Sequence, residues 1–194
     1  MMLQAVLLAS LATVALASIC CAPQQWEGFK AITTFDPSGV ERYLQSYSYD
    51  AINQRYAISG NYTSFVSSYK EIWDYGKGTG FRINTEKQTC EAFAVTGTFP
   101  ANCIPSDAVE LGPADYGYGT DSISTIAYQF SDTRDESKNT IALVSSGNCV
   151  PVTSTTMVLR PGNNSLHILC FNNIFPGIRD LSIFDPPAYC RKSA

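Results

Sequence analysis

Along residues 18–194, apolar and aromatic side chains recur at every second position, the spacing that puts them on one face of a β-strand. Tyr43, Tyr47 and Tyr49 share such a face, as do Phe81 and Ile83, and Phe93 and Val95. Ile126, Tyr128 and Phe130 form another set, and Leu166, Ile168 and Cys170 a further one. Turn-forming residues separate the runs at 36–39, 59–61, 76–78, 145–148 and 161–163. No long window keeps a helical period; the best helical candidate, residues 63–69, is short and rich in Ser and Tyr. The pattern predicts an all-β, mainly antiparallel domain of two sheets. Residues 71–75, 141–144 and 167–171 are apolar on both faces. A two-sheet sandwich shows more polar outward positions than this, so the surplus predicts cover by a ligand or a partner subunit.

The chain opens differently. Residues 1–17 carry no charged side chain, and Ala15-Leu16-Ala17 fits the small-x-small rule for cleavage. Cys20, Cys21 and Pro23 follow too soon for a spanning helix of about 20 residues. The predicted organisation is a signal peptide over 1–17, removed on export, and one β domain over 18–194, with no membrane span. Only 15% of the 194 residues are charged and 12% are aromatic, which excludes a disordered chain. Thirteen Lys and Arg stand against 17 Asp and Glu, with no basic cluster, which excludes an ordinary nucleic-acid binder. Seven cysteines in an exported chain predict disulfides. An odd number leaves one over, and spacing alone chooses no pairing. The sequons Asn61-Tyr62-Thr63 and Asn163-Asn164-Ser165 predict glycans at Asn61 and Asn163, in turns marked by Gly60 and Gly162.

Motifs that carry catalysis elsewhere do not assemble. Residues 76–80 (Gly-Lys-Gly-Thr-Gly) resemble a phosphate loop, but Phe81-Arg82-Ile83 follows as a strand, where a phosphate loop opens a helix. They predict a hairpin turn. His167 is the single histidine, lies inside an apolar strand, and has no Gly-x-Ser-x-Gly elbow to serve. The paired cysteines Cys20-Cys21 are too close for the usual zinc spacing. The acidic run 132–136 lacks the alternating oxygen ligands of a calcium loop and predicts a solvated turn. The expectation is a protein that is not an enzyme and requires no cofactor.

Several segments, in order, are similar to the ependymin-related family. Residues 21–28 (Cys-Ala-Pro-Gln-Gln-Trp-Glu-Gly) resemble its N-terminal signature. Tyr49-Asp50 with Asn53-Gln54-Arg55 resembles its early strand pair, and Phe81-Arg82-Ile83 with Lys87-Gln88-Thr89-Cys90 its central hairpin. Asn148-Cys149-Val150-Pro151 resembles its late turn, and residues 177–190, ending in Pro186-Pro187-Ala188-Tyr189-Cys190, its closing motif. The resemblance implies a secreted, extracellular glycoprotein of two curled antiparallel sheets in a half-open sandwich, with a deep apolar pocket, similar to bacterial lipoprotein carriers. It also implies a homodimer, a lipid or other hydrophobic ligand, calcium binding and contact with extracellular matrix. Carried over by motif, it implies the bridges Cys21–Cys149 and Cys90–Cys190. The family's third bridge uses an early cysteine and one in an extended C-terminus, which this chain lacks. Cys103 and Cys170 are then expected to pair, leaving Cys20 free or bridging two chains.

The two-sided apolar strands and the resemblance meet in one expectation, a pocket for a fatty-acyl or similarly oily molecule. Its candidate lining is Tyr47, Tyr49, Trp73, Tyr75, Phe81, Ile83, Phe93, Ile126, Tyr128, Leu143, Met157 and Leu159. The alternative function is a structural matrix glycoprotein making calcium-dependent contacts through its acidic surface.

Overall fold

The structure, a computed structural model, describes residues 18–62, 68–132 and 135–192. The signal-peptide segment, most of the 63–69 helical candidate, Thr63 of the first sequon and the middle of the acidic run lie outside the described residues. The strands are β1 (Ser18–Cys21), β2 (Gln25–Asp36), β3 (Gly39–Asp50), β4 (Arg55–Tyr62), β5 (Ser68–Asp74), β6 (Thr79–Asn84) and β7 (Thr89–Ala94). After them come β8 (Cys103–Pro105), β9 (Val109–Tyr118), β10 (Asp121–Asp132), β11 (Asp135–Ser145), β12 (Pro151–Val158) and β13 (Ser165–Pro176). Two 3-10 turns, Leu181–Phe184 and Ala188–Lys192, end the described chain.

The all-β antiparallel class holds, but the expected pair of large sheets is replaced by one. Eleven strands hydrogen-bond in the order β7-β6-β5-β4-β3-β2-β13-β12-β11-β10-β9. Two meanders, β2 to β7 and β9 to β13, fuse because β13 returns beside β2, pairing Leu166 with Phe35 and Phe171 with Lys30. The sheet does not close into a barrel; β7 and β9 remain its edges. Edge strand β9 carries Gly112, Pro113 and Gly117, residues that discourage further pairing. The second sheet is a small ribbon, β1 with β8.

The long β2–β3 hairpin follows directly from sequence. At its turn the Asp36 carboxylate accepts the Ser38 and Gly39 N–H groups at 2.8 and 3.2 Å. Strict alternation then aligns Trp26, Gly28, Lys30, Ile32 and Thr34 with Tyr49, Tyr47, Gln45, Tyr43 and Glu41 across the pair. At the bulge in β13, chain passes so close that a Cβ on Gly28 would stand 3.0 Å from the Asn172 carbonyl oxygen. The glycine of the N-terminal motif is thus a packing requirement. The 76–80 glycines form the β5–β6 hairpin, as predicted. Gly60 and Asn61, in contrast, lie inside β4 and not in a turn.

The sheet has two faces with different covers. The inner face meets β1–β8 and the 98–102 segment; the outer face meets the C-terminal 3-10 turns. On the outer side of β4 to β6, Ala57, Ile72 and Ile83 pack under Phe184 and Cys190. On the inner side of β10 and β11, Tyr128, Ala142 and Val144 pack under Ile104 and Cys149. The central inner cluster is Trp26, Tyr47 and Tyr49 with Tyr56, Ile58, Phe99, Phe171 and Ile174. Strands apolar on both sides therefore have cover on both sides at the β4–β6 end of the sheet, and on the inner side alone at the β10–β11 end. In the middle the outer face stays open: Leu44 is 53% exposed and Met157 48%, with Phe29, Phe35 and Ile141 also exposed.

The bridges are Cys20–Cys149, Cys21–Cys103 and Cys90–Cys190, and Cys170 is free. Cys90–Cys190 agrees with the implied pairing; Cys21–Cys149 and Cys103–Cys170 do not form. The reason is geometric. Adjacent residues of a strand point to opposite sides. Cys21 faces its register partner Cys103 across the ribbon, and Cys20 turns to the buried Cys149. Cys170 pairs in register with Ala31, on the outer face of β13, while Cys103 lies over the inner face. The sheet itself separates those two sulfurs.

Candidate functional site

The inner face carries a continuous run of aromatic rings. Trp26 lies 5.2 Å from Tyr47 and 5.8 Å from Tyr49, centroid to centroid, and 6.1 Å from Phe171. Tyr47 meets Tyr56 at 5.8 Å, Tyr56 stacks on Trp73 at 5.8 Å, and Trp73 meets Phe93 edge-on at 4.7 Å. Phe99 closes the run from above, 5.1 Å from Tyr49 and 5.6 Å from Tyr75. Cross-strand register assembles it, since Trp26, Tyr49, Tyr56 and Trp73 are successive partners in β2, β3, β4 and β5. The 98–102 segment is fastened there by Tyr49, whose hydroxyl donates to the Pro100 carbonyl at 3.3 Å and accepts the Asn102 N–H at 3.2 Å. Burial pushes the Tyr47, Tyr49 and Tyr56 hydroxyls above the ordinary tyrosine pKa, so all three stay neutral donors.

Two clefts flank this segment and share Ala101, Cys103, Phe130 and Thr140. The larger, about 560 Å³, runs from Phe99 and Pro100 to Phe130, Lys138 and Thr156. The smaller, about 240 Å³, runs from Ala22 and Asn102 to Phe171, Leu143 and Val144. Their walls mix apolar side chains with hydroxyls of Thr98, Thr140 and Thr156 and the Lys138 ammonium, which is tied to Asp135 at 3.3 Å.

Lys30 projects into the aromatic run. Its Nζ sits 3.2 Å from the Tyr47 ring centroid and 5.5 Å from that of Phe171. Burial lowers its ammonium to about 7. His167, also on the inner face, is held by Thr34 Oγ1 at 3.3 Å and Ser165 Oγ at 2.9 Å. No carboxylate orients it, so the geometry of a catalytic triad is absent among the described residues. Among the described residues no group of three or more His, Cys, Asp or Glu is placed to hold a metal. No helix among them is long and apolar enough to cross a membrane.

The twelve candidate lining residues divide among four places. Tyr47, Tyr49, Trp73, Tyr75 and Phe93 lie in the inner aromatic run. Tyr128 and Ile126 lie on the inner face under the ribbon, while Leu143 borders the smaller cleft but alternates onto the outer face with Ile141. Phe81 and Ile83 pack on the outer face beneath the C-terminal turns, away from the clefts. Met157 and Leu159 line a shallow outer groove with Phe35 and Leu166. Those last four lie across the sheet from these two clefts, because spacing groups residues on a face but does not say which face turns inward. Lys30, Tyr56, Phe99, Asn102 and Phe171 belong to the site and lie outside those twelve. A lone lysine between Phe29 and Ala31-Ile32 is a readable signal; Phe99 and Asn102, in a loop without periodicity, give none.

Comparison with known proteins places this architecture. The ependymin family profile matches residues 63–190. Ependymin-related protein 1 of Haliotis asinina is 36% identical over 198 residues, spanning 98% of this chain and 99% of that one. Mammalian ependymin-related protein 1 of Mus musculus is 24% identical over 182 residues, 89% of this chain and 76% of that protein. Among solved structures, an uncharacterized conserved protein from Thermus thermophilus superposes with a TM-score of 0.56 at 6% identity, covering 86% of this chain and 87% of that one. That likeness is one of fold alone. A LolA superfamily protein from Nitrosomonas europaea superposes more loosely, with a TM-score of 0.43 at 9% identity over 87% of this chain and 93% of that one. With near full-length identity above a third to a curated relative and a matching profile, the chain belongs to the ependymin family.

Proposed function

We propose that this protein is an exported, non-catalytic carrier that holds a hydrophobic molecule of the lipid or fatty-acyl type on the inner face of its sheet. The observation that carries the reading is the aromatic run opening onto two clefts that share a wall, about 560 and 240 Å³. Ligand pockets are concave, mostly apolar and sparingly polar, at roughly 300–1,000 Å³. An alkyl chain gains about 0.8 kcal/mol for each CH₂ taken out of water, so a long tail binds here without any ionic contact. Three disulfides support an oxidising, extracellular destination. The open apolar middle of the outer face, with Phe29, Phe35, Leu44 and Met157, supports pairing with a second copy of the chain. Delipidated protein should take up a fluorescent fatty-acid analogue saturably, at one site per chain. A folded, fully oxidised protein that shows no uptake would overturn the reading. Calcium-dependent retention on matrix, with no lipid bound, would favour the structural alternative.

A further inference from the structure

The polar groups around the aromatic run are unbalanced. Lys30 lies between the Tyr47 and Phe171 rings and has no carboxylate partner among the described residues. One buried donor beside the same rings also lacks an acceptor, Trp26 Nε1, while the Asn102 side-chain amide reaches the Tyr47 hydroxyl. Trp26 touches Tyr47 and Phe171, and Asn102 borders the smaller cleft together with Phe171. Buried donors in folded proteins are nearly always paired. A cation with an unpaired neutral N–H beside it is complementary to a group that only accepts, and a carboxylate is such a group.

We propose that this corner of the inner face is the head-group end of the pocket, where Lys30 pairs with the carboxylate of a single-chain fatty acid whose tail occupies the adjoining cleft. The inference rests on the carrier reading and adds the charge of the guest. One ammonium matches one carboxylate, and the ring faces around it keep the pair dry and strong. The titratable or charged groups on the inner face of neighbouring strands are Glu41, Tyr43, Tyr47 and Tyr49 on β3 and Tyr56 on β4. Tyr69 and Glu71 on β5, His167 on β13 and Lys138 on β11, paired with Asp135, complete the set among the described residues within three strands of β2. Glu71 is engaged by Trp73 Nε1 at 3.0 Å and Arg82 at 3.5 Å. His167 is engaged by Thr34 and Ser165.

The test compares parinaric acid with its methyl ester on the delipidated full-length mature protein. Wild type should bind the acid at least about tenfold more tightly than the ester at pH 6. Lys30→Met should bring the two within about threefold by lowering acid affinity, and Lys30→Arg should restore the preference. With the lysine at about 7, acid affinity should fall about tenfold from pH 6 to pH 8, and ester affinity should stay flat. His167→Gln should keep that profile. Equal binding of acid and ester by wild type, or a preference that survives Lys30→Met, would overturn the head-group assignment and leave the carrier reading standing. Binding of neither probe by wild type would overturn both. The wild-type pH profile decides the matter even where the Met variant fails to fold.

Discussion

Replacing Lys30 by Met should stabilise the empty protein, and most strongly at the acid end of the range. The Lys30 ammonium falls from 10.5 to about 7 because burial penalises its charge. Between those values the folded chain binds fewer protons than the unfolded one, so stability must rise with pH through that window. Below about pH 7 both states are charged and the full penalty is present. A shift of this size is about 5 kcal/mol at 1.36 kcal/mol per unit, of which about 3 kcal/mol is traversed between pH 6.5 and pH 9.5. The Tyr47 face 3.2 Å from the ammonium offsets part of the penalty, up to about 2 kcal/mol for a desolvated cation. Wild type should therefore gain about 1–3 kcal/mol more than Lys30→Met over that interval. Stopping at pH 9.5 avoids ionisation of the tyrosines, whose raised values would lower stability at higher pH. Urea unfolding of both proteins with disulfides intact, followed by tryptophan fluorescence, reads the difference directly. Equal pH dependence in the two proteins would mean that Lys30 stays hydrated and charged, and the reasoning would fail. A cation that costs the empty fold stability belongs to a binding site more naturally than to a core.

Three further outcomes follow from the packing. Gly60→Ala should destabilise by about 1–3 kcal/mol, because its Cβ would meet the Leu44 carbonyl oxygen at 2.6 Å. Gly147→Ala, which meets nothing within 4 Å, should stay within about 0.5 kcal/mol, and equal urea midpoints for the two variants would contradict this. Peptide mapping without reduction should recover Cys20–Cys149, Cys21–Cys103 and Cys90–Cys190 and an alkylatable Cys170. Cys90→Ser should then lower stability by up to about 4–5 kcal/mol in the chain-entropy view, since that bridge spans 100 residues. A Cys103–Cys170 peptide would refute the two-sided placement. Asp50 is fully buried, and burial alone would raise its carboxyl; hydrogen bonds from Asn53, Gln25 and Arg55 outweigh this and hold it below the usual range. Its contribution is thus complete above the ordinary aspartate value and fades as pH falls through the lower folded one. Asp50→Ala should cost about 3–5 kcal/mol, because it strands the Arg55 charge, and acid titration of the variant should lose that component.

Period-two spacing is enough to find the strands. Tyr47 and Tyr49, Ile126 and Tyr128, and Leu166, Ile168 and Cys170 do share faces, because alternation is a local property of extended chain. What spacing cannot carry is the long-range return of β13 to β2, which fuses two meanders into one sheet and decides which face is inner. Phe81 and Ile83 look like Tyr47 and Tyr49 in sequence; only the C-terminal turns, about a hundred residues further along, make their face a closed core. The cysteines show the same limit. Cys20 and Cys21 are neighbours, so no spacing rule distinguishes them, and the opposite directions of successive strand residues settle their partners. Gly60-Asn61 reads as a turn from composition, yet Gly60 is a strand residue where the Leu44 backbone comes too close for a side chain. The surplus of apolar strand surface is legible in residues 71–75 and 167–171. Its division among C-terminal cover, inner aromatic run and open outer face is not.

The central claim is that the inner face is built around an oily guest. Protein purified natively, without detergent or delipidation, should be extracted with organic solvent and the extract weighed by mass spectrometry against the protein present. The account predicts a single-chain lipid, enriched in free fatty acid, close to one molecule for each chain. An extract from folded, fully oxidised protein with no lipid above background would contradict it.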